Sequence, residues 1–405
     1  MTVRVCPTGP EPGPVAPAFL ATRSNCADNF PMMLRLRAAA VVNISIACLF
    51  LIAVPVRTSQ TDSASQVFQR EDAYLTKEPG VQAFRGAVLV GVDGKIVFEK
   101  AYGIANEEWN APNTNTTRFR IASLTKQFTA TCILLLQEQG RLNVHDPISR
   151  YLSGLPAAWQ DITVHQLLTH TSGVPNYTNS PLLPILNRTG ATPQELIAQV
   201  RNKPLDFKPG SQWNYSNTGY ALLGMIIEKA SGQNYAAFLK SNIFDPLGMA
   251  NSGYDSATPV IRERASGYQI KDGRIANSDF IDMTIPFAAG GIYSTVEDMF
   301  RWNEALAREG KLLSAGSLKQ MFTEYPEAVY QGQHYGYGVV VSRKKFGKLL
   351  YYHGGGVDGF SSVIQRYPAE RVCIVILSNL GSFKPWDLGD HIAAGLFDQP
   401  IPAAD

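Results

Sequence analysis

Apolar positions change their spacing along this chain, and the changes mark out its elements. Residues 62–79 repeat apolar side chains three and four apart, which predicts an amphipathic helix ending at Gly80. The run AVLVGVDGKIVF at 87–98 then sets two apolar stretches around Asp93 and Gly94. Asp-Gly between such stretches predicts a hairpin, because a tight type I′ turn needs positive φ at both central positions. Residues 123–139 read as a helix with Gly140 as its stop. From about 141 to 285 the chain is loop-rich, with the clearest helices at 192–202 and at 219–230, the second stopping at Gly232. A further helix is predicted at 300–308, with Gly310 beyond it. Strand patterns return at 335–341, 348–353, 360–367 and 372–377, and an amphipathic helix at 387–397 closes the chain.

Strands at both ends around a helical middle predict an α+β fold. One antiparallel sheet is built from the N- and C-terminal segments and flanked by helices, and a mostly helical lobe is inserted. The expected boundaries are a domain at 58–400, with a sheet lobe at about 58–122 and 288–400 and a helical lobe at about 123–287. A cleft between lobes is the natural place for a site. The loop after Thr171 and the segment 178–190 are its expected walls.

Residues 1–57 read as a leader. Positions 1–31 are rich in Pro and Gly; Met32, Met33, Leu34, Arg35, Leu36 and Arg37 then precede an apolar run at 38–54. Basic residues ahead of a short apolar stretch are the layout of a secretory signal, with translation starting at Met32 or Met33. A membrane anchor is the rival reading, since the run nearly suffices to span a bilayer. The protein is therefore expected to be exported, periplasmic or extracellular, either released or tethered to the membrane through this segment.

Composition narrows the function classes. The chain has 405 residues, 45% of them hydrophobic and 17% charged, with a formal net charge of +2 and no Lys/Arg cluster. A nucleic-acid partner is not expected. Cys6, Cys26 and Cys48 fall in the leader, which leaves Cys132 and Cys373 as small buried hydrophobes rather than a disulfide. No metal-ligand spacing is present, and no cofactor is implied.

Ser123 and Lys126 carry the first chemical signal. Three apart on a helix, a hydroxyl and an amine share one face. A buried lysine loses its proton more readily, and the neutral amine can then activate a serine. At a helix N-terminus the free N–H groups also favour a developing oxyanion. Alone, Ser-x-x-Lys reads as well as an N-cap serine beside a surface lysine. Tyr215, Ser216 and Asn217 follow a turn-rich loop and precede a helix. Residues two apart in an extended loop face the same way, so a proton-relaying tyrosine and an amide-binding asparagine would project together; the rival reading is helix capping by Ser216 or Asn217. His353, Gly354, Gly355 and Gly356 end a predicted strand, where glycine permits close approach of substrate and the strand edge offers an N–H. His-Gly-Gly-Gly is also a lipase oxyanion signature, but the Gly-x-Ser-x-Gly elbow it requires is absent. His165 and His170, five apart, do not share a helix face and read as structural.

With these elements in order, the chain resembles the penicillin-recognising serine hydrolases, the group of class C β-lactamases, D-alanyl-D-alanine carboxypeptidases and family VIII-type esterases. The resemblance runs from about 87 to 397 and includes LLTHTSGV at 167–174, YSNTGY at 215–220 and AGGIYST at 289–295. It implies a serine hydrolase working through an acyl-enzyme on an amide, peptide or ester. Ser123 resembles the acylated nucleophile and Lys126 its proton-exchanging partner. Tyr215 matches the tyrosine that takes the serine proton and later activates water. Asn217 matches the residue that binds substrate amide and lysine, while His353 and Gly355 fall on substrate-binding positions. The backbone N–H groups of Ser123 and Gly356 match the oxyanion hole. His353 stands where β-lactamases carry a lysine; histidine is only partly charged near neutral pH, which favours neutral esters, amides or D-amino-acid peptides over β-lactams. A non-hydrolytic sensor of the penicillin-binding type is the alternative.

Overall fold

The computed structural model describes residues 60–77 and 84–400. The leader with its apolar run at 38–54, and Gly80, lie outside the described residues. Among the described residues no helix is long and apolar enough to cross a membrane.

Eight antiparallel strands form the central sheet. Two come early in the chain, β1 (Gly86–Val92) and β2 (Lys95–Tyr102). Six come late: β3 (Val329–Tyr330), β4 (Gln333–Tyr335), β5 (Val340–Ser342), β6 (Leu350–Val357), β7 (Phe360–Tyr367) and β8 (Val372–Ser378). The order is β3-β4-β5-β6-β7-β8-β1-β2, so the two ends of the chain meet where β1 pairs with β8, from Gly86 opposite Ser378 to Val92 opposite Val372. This is the α+β fold that the element pattern predicts. Five longer helices accompany the sheet: α1 (Gln60–Lys77), α2 (Thr125–Glu138), α3 (Asn217–Ser231), α4 (Val296–Leu306) and α5 (Pro385–Leu396).

Strand alternation divides the core in two. Ala87 and Leu89 face a large core with Phe128 of α2 and Met299 of α4. Val88 and Val90 point the other way, against Val67 and Phe68 of α1 and Leu388 and Ile392 of α5. Because both faces are covered, β1 and β8 read as continuous apolar runs. Helix α2 is buried on every side from Thr125 to Leu134, which places Lys126 out of reach of water. Cys132 and Cys373 are buried free thiols.

The hairpin turn has the expected geometry, Asp93 at φ +54° and Gly94 at +75°. Elsewhere the elements differ from the sequence reading in instructive ways. Residues 335–341 are not one strand: the chain reverses, and β4 pairs antiparallel with β5, Tyr335 opposite Val340. Tyr337 and Val339 are buried and mask the turn in the pattern. A Cβ at Gly336 would lie 2.3 Å from the Met321 carbonyl, and one at Gly338 2.6 Å from the Lys126 carbonyl, so glycine lets this turn press against α2. Strand β6 does not stop at His353 but runs through all three glycines to Val357. The predicted helix at 192–202 is shorter, Pro193–Ala198, held by a capping box between Thr192 and Glu195. Helix α3 begins at Asn217, two residues before the predicted start, and stops at left-handed Gly232, as predicted. Helix α4 starts before 300, where Thr295 caps it and Glu297 and Asp298 occupy the first turn.

Candidate active site

Ser123 does not sit on the long helix but on a 3-10 turn, Ala122–Leu124, that leads into α2. Ala122 has φ +47°, a left-handed conformation that costs a non-glycine residue on the order of 1 kcal/mol. Its neighbours hold it there: Ile121 donates its N–H to the Ile292 carbonyl at 3.0 Å, and the Ser362 hydroxyl donates to the Ile121 carbonyl at 2.9 Å. The turn is thus pinned between the short strand Ile292–Ser294 and β7.

Three distant parts of the chain converge on this serine. Lys126 Nζ lies 3.1 Å from Ser123 Oγ, 2.9 Å from Asn217 Oδ1 and 2.8 Å from the Ala289 carbonyl. The Tyr215 hydroxyl donates to Ser123 Oγ at 2.9 Å. Ser216 caps α3, accepting from Gly219 N–H and donating to the Val174 carbonyl, which frees Asn217 to meet the lysine. Capping and site chemistry, rival readings of this loop, are both present.

Lys126 is fully buried, and that burial holds its pKa well below the ordinary lysine value. The rings of Tyr215 and Tyr220 lie 4.6 and 5.4 Å from Nζ. Cation–π contacts of this kind give about 0.5–2 kcal/mol, whereas dehydrating an unpaired ion costs several kcal/mol. Burial therefore shifts Lys126 towards the neutral amine. A neutral amine has two N–H bonds and one lone pair. In that form Asn217 and Ala289 would take the two hydrogens and the lone pair would face Ser123. Burial likewise raises the Tyr215 pKa, only partly countered by its bond to Ser123, so the phenol keeps its proton.

The glycine run divides the expected roles. Val357 and Phe360 flank the two-residue turn of Asp358 and Gly359, and hydrogen-bonded pairs alternate from there. Gly356, opposite Ser361, therefore turns its N–H away from β7, and β5 covers β6 only as far as Tyr352. A Cβ at Gly356 would meet nothing within 4 Å. Gly355, expected at a substrate-binding position, is instead enclosed. A Cβ there would lie 2.4 Å from both the Ile121 carbonyl and Ser362 Oγ. It sets the distance between β6 and the serine turn.

His353, also expected to bind substrate, is 5% exposed and withdrawn from the cavity. Its Nδ1 lies 2.6 Å from the Gly354 carbonyl, which fixes the proton on that nitrogen, and its Nε2 receives the Tyr335 hydroxyl at 2.9 Å. Burial pushes the pKa down to about 3, and any positive charge on Lys126 acts in the same direction. Partial charge at neutral pH is thereby corrected to none. His165 bridges Tyr337 and Glu327, both at 2.9 Å. His170, at φ +60°, accepts the Ser216 N–H at 3.1 Å and packs its ring against Tyr215, 4.4 Å between centroids. Both are structural, as read from their spacing.

A cavity of about 260 Å³ opens over the serine, lined by Ser123, Asn217 and Gly356 together with Thr178, Leu183 and Asn187 from the expected wall segment 178–190. Four contributors were not singled out in the sequence. Ala289 and Ser362 act through a carbonyl and a short hydroxyl, Tyr335 lies in an aromatic-rich run, and Asp358 looks like a turn residue. Only Ala289 carried a signal, its place in the AGGIYST stretch.

The chain is similar to known proteins over most of its length. The penicillin-binding protein 4* of Bacillus subtilis (strain 168) is 32% identical over 344 residues, 80% of this chain and 75% of that protein. The penicillin-binding protein from Bacillus halodurans superposes with a TM-score of 0.69 at 28% identity, over 82% of this chain and 98% of that one. The D-amino acid amidase from Ochrobactrum anthropi SV3, solved with D-phenylalanine, gives 0.71 at 25% identity, over 84% of this chain and 99% of the amidase. The family model described as Beta-lactamase matches residues 70–395, nearly all of the described chain. The protein therefore belongs to the Beta-lactamase family, a family of serine hydrolases.

Proposed function

We propose that the protein hydrolyses an amide, peptide or ester through an acyl-enzyme on Ser123. One observation carries this reading: Ser123 Oγ, at the floor of an open cavity, lies within hydrogen-bonding reach of a fully buried Lys126 amine and of the Tyr215 hydroxyl. Ser123 Oγ attacks the substrate carbonyl carbon, and its proton passes to the lone pair of Lys126. The oxyanion forms against the N–H groups of Ser123 and Gly356. Collapse breaks the bond to the leaving group, which departs with the Tyr215 proton, and the Lys126 ammonium reprotonates the phenoxide. Water then attacks the ester, gives its proton to Lys126, and Ser123 leaves with that proton. This order departs from the role the resemblance gave Tyr215: a phenol with a raised pKa donates before it accepts, so the lysine is the first base.

Neutral His353 supports substrates without a terminal carboxylate, since it offers no positive charge to hold one. The likeness to a D-amino acid amidase points the same way. For location, the proposal of export rests on Arg35, Arg37 and the apolar run at 38–54.

A fluorophosphonate probe should add one covalent label, and Ser123→Ala should abolish it. Label that persists in the variant would sink the assignment. Labelling with no turnover of any ester or amide would support a binding role instead.

A further inference from the structure

Asp358 is the one carboxylate among the described residues that line the serine cavity. It stands in the β6–β7 turn, two residues beyond Gly356. Among the described residues no ion pair or hydrogen bond engages its side chain. The cation whose field reaches it, Arg120, is already committed: its Nε donates to Asp255 at 2.7 Å, and its guanidinium lies over the Phe360 ring. Burial raises the Asp358 pKa and Asp279 adds to the rise, the condition of a carboxylate short of a positive partner.

Leu183, Ile281, Ile285 and Val357 give the cavity an apolar wall beside the uncharged Thr178, Asn187 and Asn217. Leu182 and Phe280, each next in sequence to a lining residue, are 48% and 58% exposed, and Ile185, between Leu183 and Asn187, is 59% exposed. At about 260 Å³ the cavity is near the lower end of ligand sites, sized for a small acyl group rather than a long peptide. Tyr215, the proposed proton donor to the leaving group, is not among the lining residues. The portion of substrate that occupies this cavity is then the part that stays on Ser123.

We propose that Asp358 binds a cationic amine on the acyl portion of the substrate. The site then selects amides and esters whose acyl group joins an ammonium to a compact apolar side chain, such as an aminoacyl group. This rests on the acyl-enzyme reading above. His353, which burial keeps uncharged, neither competes for the carboxylate nor repels the ammonium.

The test uses p-nitrophenyl esters or p-nitroanilides of phenylalanine, both enantiomers, against the 3-phenylpropionyl derivative, which lacks only the amine. The wild-type protein should favour one aminoacyl enantiomer by tenfold or more in kcat/KM. Asp358→Asn should shrink that preference about ten- to a hundredfold, as expected for loss of a charge-assisted bond. Masking the amine by acetylation should shrink it equally in the wild-type protein. An unchanged ratio in Asp358→Asn, or a wild-type preference for the des-amino substrate, overturns the proposal. Failure of the underlying reading would show separately, as fluorophosphonate labelling that survives Ser123→Ala.

Discussion

Adding one methyl group at Gly355 should disable the site, while the same change at Gly356 should be tolerated. A Cβ at Gly355 would stand 2.4 Å from the Ile121 carbonyl, against about 3.3–3.6 Å for an ordinary C···O approach, so one side must retreat by about 1 Å. Ser362 Oγ, equally close, cannot swing aside without breaking its 2.9 Å bond to that same carbonyl. Ile121 lies two residues before Ser123 on a turn already holding Ala122 at positive φ, so the displacement is passed to the nucleophile. A misplacement of about 1 Å at a reacting group can cost about 10²-fold in rate. Overpacking of this kind also costs about 1–3 kcal/mol of stability, and for a chain this long about 2 °C in Tm per kcal/mol. Gly355→Ala should therefore lower kcat/KM for a chromogenic ester about a hundredfold and Tm by about 2–6 °C. Gly356→Ala, whose Cβ meets nothing within 4 Å, should melt with the wild-type protein and lose less than about tenfold in kcat/KM. Steady-state kinetics and thermal melts on both variants check this. Equal losses at the two positions, or a fully active Gly355→Ala, would refute the geometry from which the role of β6 is argued.

Other outcomes follow from the titrating groups. Lys126 serves as a base only when neutral, and burial lowers its pKa, so kcat/KM should rise with pH and level off below the ordinary lysine value of 10.5. A limb in the pH–kcat/KM profile at the ordinary lysine pKa would contradict this. Lys126→Met should lower kcat/KM by about 10²–10⁴-fold, the usual worth of a positioned base, with the Ser123 label greatly slowed. His353 titrates at about 3 folded against 6.5 as its ordinary value, so between those pH values the unfolded chain binds more protons. Stability is then whole above about pH 6.5 and lost as pH falls towards 3, by about 4–5 kcal/mol from this residue at 1.36 kcal/mol per pH unit. Urea unfolding at pH 7 and pH 4 should show His353→Gln losing less stability on acidification than the wild-type protein; equal losses would place the acid sensitivity elsewhere.

Local chemistry made the outline of this protein readable. Asp93 and Gly94 announce their hairpin because the turn they form tolerates few other residues, and Gly140 and Gly232 announce helix ends for the same reason. The apolar run at 372–377 gives β8 almost residue for residue, since burial on both faces leaves no polar interruption; β7 is buried along its whole length although Ser361, Ser362, Gln365 and Arg366 interrupt its apolar pattern. The reversal at 336–339 was hidden because Tyr337 and Val339 are buried within the turn, so hydrophobicity there reports packing against α2 rather than strand direction.

The sequence also determined which residues were candidates: Ser123, Lys126, Tyr215, Asn217 and the glycine run are legible as types at spacings. Only tertiary structure decided what each can do. Lys126 is pushed towards the neutral amine because α2 is enclosed on every side, a property no spacing records. In the neutral form its lone pair would face Ser123, because two acceptors, 91 and 163 residues away in the chain, take its hydrogens. His353 loses its charge, Gly355 becomes a spacer and Asp358 enters the cavity through the register of β6 on β7 and its approach to the serine turn. Spacing along a chain sets what can share a face. Dehydration and convergence, which set protonation and aim, exist only once distant segments have packed.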